Sequence, residues 1–243
     1  MIPPKTYNIQ FLKRQDLAKD THSFFFKRPV DFEFIAGLYN RWTLPIEATD
    51  GRGNSRLFTI SSSPLEKEYV SFTTKIVQSQ FKKALLELKE GAQIQMFGPL
   101  GRFTLDENDN RTCVLLAGGI GITPFHSIIP YANAQKLTIP LILIASFSTP
   151  EEMVFYDELT QIAKENQNIK VIYTITRPQE SQQQWTGETG RISDTMIKKY
   201  VSNVMDAIYY VVGPPAMLEG MKKVLLDMEI KEENIKVEQF TGY

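Results

Sequence analysis

The chain has 243 residues, 42% hydrophobic and 23% charged, a balance that excludes a disordered protein and leaves room for one large domain or two ordinary ones. A net charge of -1 gives no electrostatic case for binding nucleic acid or an anionic membrane surface. Its single cysteine, Cys113, excludes a disulfide framework and a cysteine-ligated iron–sulfur cluster within this sequence. Met1-Ile2-Pro3-Pro4-Lys5 lacks the basic and apolar regions of a signal peptide. The longest weakly polar stretch, Cys113 to Ile129, is interrupted by Gly118, Gly119, Gly121 and Pro124 and is too short for a membrane helix. A soluble, cytoplasmic protein with no membrane insertion is expected.

The first hundred residues favour strands: Tyr7 to Lys13, Ser23 to Arg28, Arg56 to Ser61, Tyr69 to Val77 and Gln93 to Phe97 are short and rich in aromatic or β-branched residues. Turn clusters such as Asp50-Gly51-Arg52-Gly53-Asn54 separate them. One segment differs, because Phe81, Ala84, Leu85 and Leu88 recur at helical spacing with Gly91 just beyond. Many short strands and one helix predict a small barrel. The acidic run Asp106 to Asn110 marks the expected boundary, dividing the chain into 1–108 and 109–243. Beyond it, the apolar runs Cys113 to Ala117, Leu141 to Ile144, Ile169 to Tyr173 and Ile208 to Val212 alternate with helical segments, which predicts a doubly wound parallel sheet. Pro150-Glu151-Glu152 is expected to open one helix and Pro214-Pro215 another.

Three stretches carry candidate chemistry. Gly118-Gly119-Ile120-Gly121 follows an apolar strand, and the backbone N–H groups opening the next helix near Thr123 can face a diphosphate; the same turn also serves a plain strand-to-helix connection. Its spacing is not G-x-G-x-x-G. Arg56-Leu57-Phe58-Thr59-Ile60-Ser61 places a guanidinium for a pyrophosphate, a ring for stacking on an isoalloxazine and a hydroxyl for the flavin edge at N5; it also reads as an ordinary strand with a surface arginine and a buried phenylalanine. Alternation puts Arg56, Phe58 and Ile60 on one face and Thr59 and Ser61 on the other. Ser79-Gln80-Phe81-Lys82 opens the barrel's helix, with Ser79 as N-cap and Lys82 adding charge for the flavin diphosphate, or as simple capping.

Together with Gly98-Pro99-Leu100-Gly101-Arg102-Phe103, Trp185 to Ile192, Val212-Gly213-Pro214-Pro215-Ala216-Met217 and Glu238 to Tyr243, these stretches resemble the ferredoxin–NADP reductase superfamily, as a stand-alone flavin and nicotinamide module. The resemblance covers nearly the whole chain. It implies a six-stranded antiparallel FAD-binding barrel followed by a nicotinamide-binding α/β domain, with FAD and NADP or NAD as cofactors. By that similarity Arg56 contacts the flavin phosphates, Phe58 stacks on the ring and Thr59 lies near N5, with Leu57, Ile60 and Ser61 completing the strand. Ser79, Phe81 and Lys82 flank the flavin diphosphate. Gly118, Gly119, Gly121 and Thr123 cradle the nicotinamide phosphates, and Gly213, Pro214, Pro215 and Met217 border the nicotinamide pocket. Glu238 and Phe240 match a tail that closes over the flavin and, with Thr59, are the candidate catalytic residues. Tyr243 competes with Phe240 to shield the isoalloxazine.

The sequence departs from many relatives in having Phe58 for a tyrosine and Val212 for a cysteine. Arg177 and Ser146 are the candidates for a modest NADPH preference, and Arg177 reads equally as a solvated loop charge. No metal site is expected, and His22 and His126 read as structural, with no carboxylate beside either. The implied activity is hydride transfer between NAD(P)H and FAD. A separate carrier such as ferredoxin, flavodoxin or a haem protein then takes the electrons; Lys82, Lys83 and Arg102 are candidates for a patch that docks an acidic partner and read equally as solvated surface charges. The alternatives are a flavin or ferric reductase with a diffusible acceptor, or an electron-transfer subunit of a larger complex.

Overall fold

The computed structural model describes residues 2–47, 50–77 and 79–239. Its first half is one six-stranded antiparallel sheet built from β1 (Lys5–Ala18), β2 (Thr21–Lys27), β3 (Tyr39–Thr43), β4 (Ser55–Thr59), β5 (Tyr69–Lys75) and β6 (Gln93–Leu100), in the order β4-β3-β6-β1-β2-β5. Past the end of β4 the chain turns back to β5. The Ser61 N–H donates to the Ser71 carbonyl at 2.8 Å and the Ser71 N–H to Ser62 Oγ at 3.1 Å, so the two edges meet and the sheet curls closed.

Alternation fixes what fills it. Phe24 and Phe26 point inward from β2 while Phe25 points out under Lys13. Phe72 of β5 is the hub, with ring centroids of Phe24, Phe26, Trp42 and Phe58 at 5.3, 5.8, 4.7 and 4.5 Å. The helix α1 (Gln80–Leu86) adds Phe81 and Leu85 to this core. It stops at Leu86, two residues short of the sequence pattern's last member, Leu88.

The second half is a six-stranded parallel sheet. Its strands are β7 (Cys113–Gly118), β8 (Leu141–Phe147), β9 (Ile169–Ile175), β10 (Glu188–Thr189), β11 (Ile208–Val212) and β12 (Ile235–Glu238), in the order β10-β9-β8-β7-β11-β12. Four helices connect them: α2 (Thr123–Ala134), α3 (Tyr156–Glu165), α4 (Asp194–Tyr200) and α5 (Pro215–Asp227). Every residue of β7 is buried, since both faces are covered. Leu115 and Ala117 enter one core and Val114 and Leu116 the other. The strand order reverses between β7 and β11, the place beyond the strand ends where open α/β sheets bind ligands.

Several boundaries differ from the sequence expectation. β1 runs on to Ala18 through a charged stretch because, past the end of its pairing with β6 at Gln10, it still pairs with β2, with register shifts absorbing the mismatch. β3, β10 and β12 lack the apolar runs that announce strands; β3 buries only Asn40 and Trp42. Pro150-Glu151-Glu152 forms a single 3₁₀ turn, and α3 begins later, after Phe155 takes the left-handed region at φ 59°. Pro215 does open α5. No helix among the described residues is long and apolar enough to cross a membrane.

Candidate active site

The glycine turn after β7 is a 3₁₀ turn, Gly119–Ile122, running directly into α2. Its glycines serve different ends. Gly119 sits at φ +54° facing open space, a backbone state suited to glycine. Gly121 is a packing position: a methyl group there would lie 2.6 Å from the Val212 carbonyl oxygen and 3.0 Å from the Gly213 nitrogen. At Gly118 a methyl group would lie 2.1 Å from Met217 Sδ. The ends of β7 and β11 are thus pressed together at the switch point, with Met217 over them and Pro214 and Pro215 exposed alongside. The Thr123 hydroxyl donates to the Ile120 carbonyl at 3.1 Å, closing the turn.

On the barrel, Arg56 and Phe58 share a face of β4, for both reach Phe81. The guanidinium lies 5.0 Å from that ring and the Phe58 centroid 6.0 Å away. Arg56 is largely buried. Its Nη1 donates to the carbonyls of Arg52, Gly53 and Ser55, which folds the Asp50–Asn54 turn around it. Its Nη2 has only Asp50, at 3.9 Å, and no hydrogen-bond partner. Lys82 is also buried, and its Nζ donates to the Lys75 carbonyl at 2.6 Å. Burial and then the Arg56 charge push Lys82 down to about 8. Ser79 caps α1, its hydroxyl accepting from the Lys82 N–H.

Lys82 costs the unliganded fold stability. Its folded pKa is lowered, so the cost is present at neutral pH and fades as pH rises through about 8. Lys82→Met is expected to stabilise the flavin-free protein by about 1–3 kcal/mol, read as a higher melting temperature, and to weaken FAD binding. Thermal melts with and without FAD check this; a lower flavin-free melting temperature would refute it.

Among the described residues, four buried side-chain polar atoms lack a partner: Arg56 Nη2, Thr59 Oγ1, Glu238 Oε2 and Asn40 Oδ1. Buried orphans are rare and need a reason. Arg56 and Thr59 lie on β4, and Asn40 is opposite Phe58 on β3. Glu238 ends β12 beside Val212, and its Oε1 is 3.6 Å from the place a methyl group would take on Gly101, just past β6. That same place is 2.9 Å from the Tyr39 ring, and Tyr39 pairs with Thr59. A line of neighbours therefore runs from Thr59 through Tyr39 and Gly101 to Glu238. Burial pushes the Glu238 carboxyl up to about 8, so it is neutral at pH 7 and holds a proton. A hydroxyl and a protonated carboxyl along one line, with the buried donor of Arg56 three residues before Thr59 on the same strand, suit an elongated ligand with an anionic end and a polar edge.

Glu238 also has a signature in stability. Its folded pKa is raised, so its contribution is complete below its ordinary value of 4.5 and is lost as pH rises through about 8. Flavin-free Glu238→Gln is expected to lose less stability than wild type between pH 5 and pH 8 (approximate window from the same shift). Melting curves that stay parallel across that window would exclude the buried neutral carboxyl.

The sequence matches the oxidoreductase FAD-binding domain over residues 8–105 and the oxidoreductase NAD-binding domain over residues 115–223. NADH-cytochrome b5 reductase 1 of Aspergillus oryzae is 30% identical over 234 residues, which span 91% of this chain and 78% of that protein. The chain belongs to the ferredoxin–NADP reductase superfamily. The glycine betaine monooxygenase reductase subunit of Chromohalobacter salexigens is 27% identical over 223 residues, 90% of this chain but 60% of that relative's length. The ferredoxin NADP+ reductase of Neisseria gonorrhoeae, solved with bound FAD and NADP, shares the fold with a TM-score of 0.81 at 20% identity, covering 96% of this chain and 98% of that one.

Within this superfamily member, several expectations need adjusting. Lys82 is buried and cannot join a surface docking patch with Lys83 and Arg102. One face of the Phe58 ring already lies on Phe72, at an interplanar angle of 7°, so only its other side is open to stacking. Ser61 Oγ is engaged with Ser71 and Thr73, Leu57 points outward from the edge of β4, and Ile60 is core. Arg177 Nη2 donates to Ser148 Oγ at 2.9 Å and its Nη1 pairs with Glu180 at 3.1 Å; Ser146 instead stands in register with Gly118. Both histidines have a carboxylate beside them: Asp16 at 2.6 Å from His22 and Glu158 at 2.8 Å from His126. Phe240 and Tyr243 lie outside the described residues. Sequence reasoning missed Asn40 and Asp50. Asp50 accepts from the Arg52 N–H, and its place within a Gly-rich turn close before Arg56 was the available signal.

Proposed function

We propose that the protein oxidises NADH or NADPH with a bound FAD and hands the electrons to a separate one-electron carrier. The observation that carries this reading is the set of unpartnered buried groups, Arg56 and Thr59 on β4 and Glu238 at the end of β12, the last of them beside Val212 at the β7–β11 switch point. FAD when bound supplies the two-electron to one-electron conversion. The chain's own work is binding and alignment. Arg56 and Lys82 hold the diphosphate, and Phe58 packs the ring's edge. Thr59 and the protonated Glu238 hydrogen-bond its polar rim, with Glu238 able to give or take a proton there. Gly118, Gly119, Gly121, Thr123, Gly213 and Met217 admit the nucleotide, and Pro214 and Pro215 border its entry. We place the division between the two units at 108/109 and the protein in the cytoplasm. The acceptor is a ferredoxin, a flavodoxin or a haem protein, in line with the reductase role in the names of the relatives.

Anaerobic titration with NADH and then NADPH tests the reading through the visible flavin absorbance. Bleaching by either donor is expected. A protein that cannot be reconstituted with FAD, or a yellow one that neither nucleotide bleaches, overturns it. We further propose that Arg177 with Ser148 receives the 2′-phosphate of NADPH, displacing Glu180. Arg177→Ala is then expected to lower the NADPH-to-NADH efficiency ratio about tenfold, and an unchanged ratio removes the assignment.

A further inference from the structure

One turn into α2, His126 crosses the seam between the two sheets. Its Nδ1 lies 2.7 Å from the Ser61 carbonyl oxygen and its Nε2 lies 2.8 Å from a Glu158 carboxylate oxygen. Its ring stacks on Phe155 with centroids 3.6 Å apart. Phe155 is the residue in the left-handed region, an uncommon state for a bulky side chain, so the backbone is bent where it supplies this surface. A carbonyl only accepts hydrogen bonds. Glu158 is half exposed, and an ionised carboxylate also only accepts. Neither ring nitrogen has a donor to receive from, whereas a neutral imidazole must keep one nitrogen as an acceptor.

The surroundings favour a cation as well. His126 and Glu158 line a cleft of about 260 Å³ whose other charged or titratable groups are Lys13 of β1, Glu66 of the loop after Ser63, and Tyr69 of β5. Two carboxylates therefore face one lysine. Burial, then Glu66 and Glu158, push the Tyr69 phenol up to about 12, so it stays neutral. The next residue of α2 repeats the attachment, Ser127 Oγ donating to the Ser62 carbonyl at 2.7 Å.

We infer that His126 is a positioning residue: an imidazolium that clamps α2, and with it the glycine-lined crevice, onto Ser61, two residues beyond Thr59. The clamp acts through Ser61 and Glu158. Because α2 starts at the end of the glycine turn, fixing it against the flavin strand fixes the spacing of the two ligand sites. The consequence for rate rests on the proposed function; the charge state does not.

Nitrogen-15 spectra of the imidazole rings of the FAD-loaded protein at neutral pH test the clamp, with His22→Gln assigning the two histidines. Both His126 nitrogens are expected to resonate as protonated, and Glu158→Gln should return the ring to a neutral tautomer. A neutral pattern in the wild type overturns the inference. His126→Gln keeps a donor for Ser61 but loses the charge and the reach to Glu158. It is expected to slow flavin reduction at saturating nucleotide about tenfold while leaving nucleotide Kd within about twofold. An unchanged rate removes the positioning role. If neither nucleotide reduces the wild-type flavin, the proposed function fails, and the spectra still decide the clamp.

Discussion

Arg56→Ala is expected to purify colourless and to bind added FAD on the order of a hundredfold more weakly or worse, because a charge-assisted contact to phosphate contributes about 1.5–3 kcal/mol and the buried site admits little water to replace it. The effect should exceed that of a surface arginine, since the side chain is only 10% exposed. Two losses combine. The unpartnered Nη2 is the donor for the ligand, whereas Nη1 organises the turn through three carbonyls. Arg56→Lys separates them: it keeps the charge but cannot satisfy the three carbonyls and a phosphate from one ammonium. Flavin titration by fluorescence quenching, with melting of the flavin-free forms, measures both. Wild-type FAD affinity in Arg56→Ala would falsify the assignment of β4 as the flavin strand.

Gly121→Ala is expected to destabilise the protein by about 2–3 kcal/mol and to lower its melting temperature by roughly 5–10 °C, because the added carbon meets backbone rather than a movable side chain. Relief requires the turn after β7 to part from β11, which widens the crevice. Reduction by NADH or NADPH should therefore fall steeply, while dithionite still reduces the bound flavin. Gly119→Ala is the contrast. Its neighbourhood is open and only the backbone state is strained, a cost of about 1 kcal/mol. Equal melting temperatures for the two variants would show that Gly121 is not a packing position.

Much of this architecture was legible in the residues. Cys113 to Ala117 and Ile208 to Val212 are apolar on both faces, which only a covered parallel sheet explains, and the glycine turn between them locates the crevice. Less was legible where an element owes its form to neighbours. Tyr39–Thr43 becomes a strand by lying between β4 and β6, and Ile235–Glu238 by pairing with β11. Neither carries a strong pattern of its own. Arg56 was identifiable from sequence, but its division into a structural and an unpartnered nitrogen is tertiary. Lys82 sits on a helix face that periodicity assigns to solvent, and it is drawn inward by the Lys75 carbonyl. His126 and Glu158 are 32 positions apart, so their pairing leaves no local trace.

The burial of Cys113 has a bearing on durability. Reduced flavins leak electrons to oxygen and generate peroxide, which attacks thiolates rather than thiols. Cys113 is 1% exposed, and burial pushes its thiol up to about 11. At neutral pH roughly one molecule in ten thousand carries the thiolate. Under the proposed function the chain's one sulfhydryl is shielded from the peroxide a reduced flavin would release, and a thiol-directed reagent added to the folded protein becomes a clock for unfolding rather than a poison of turnover.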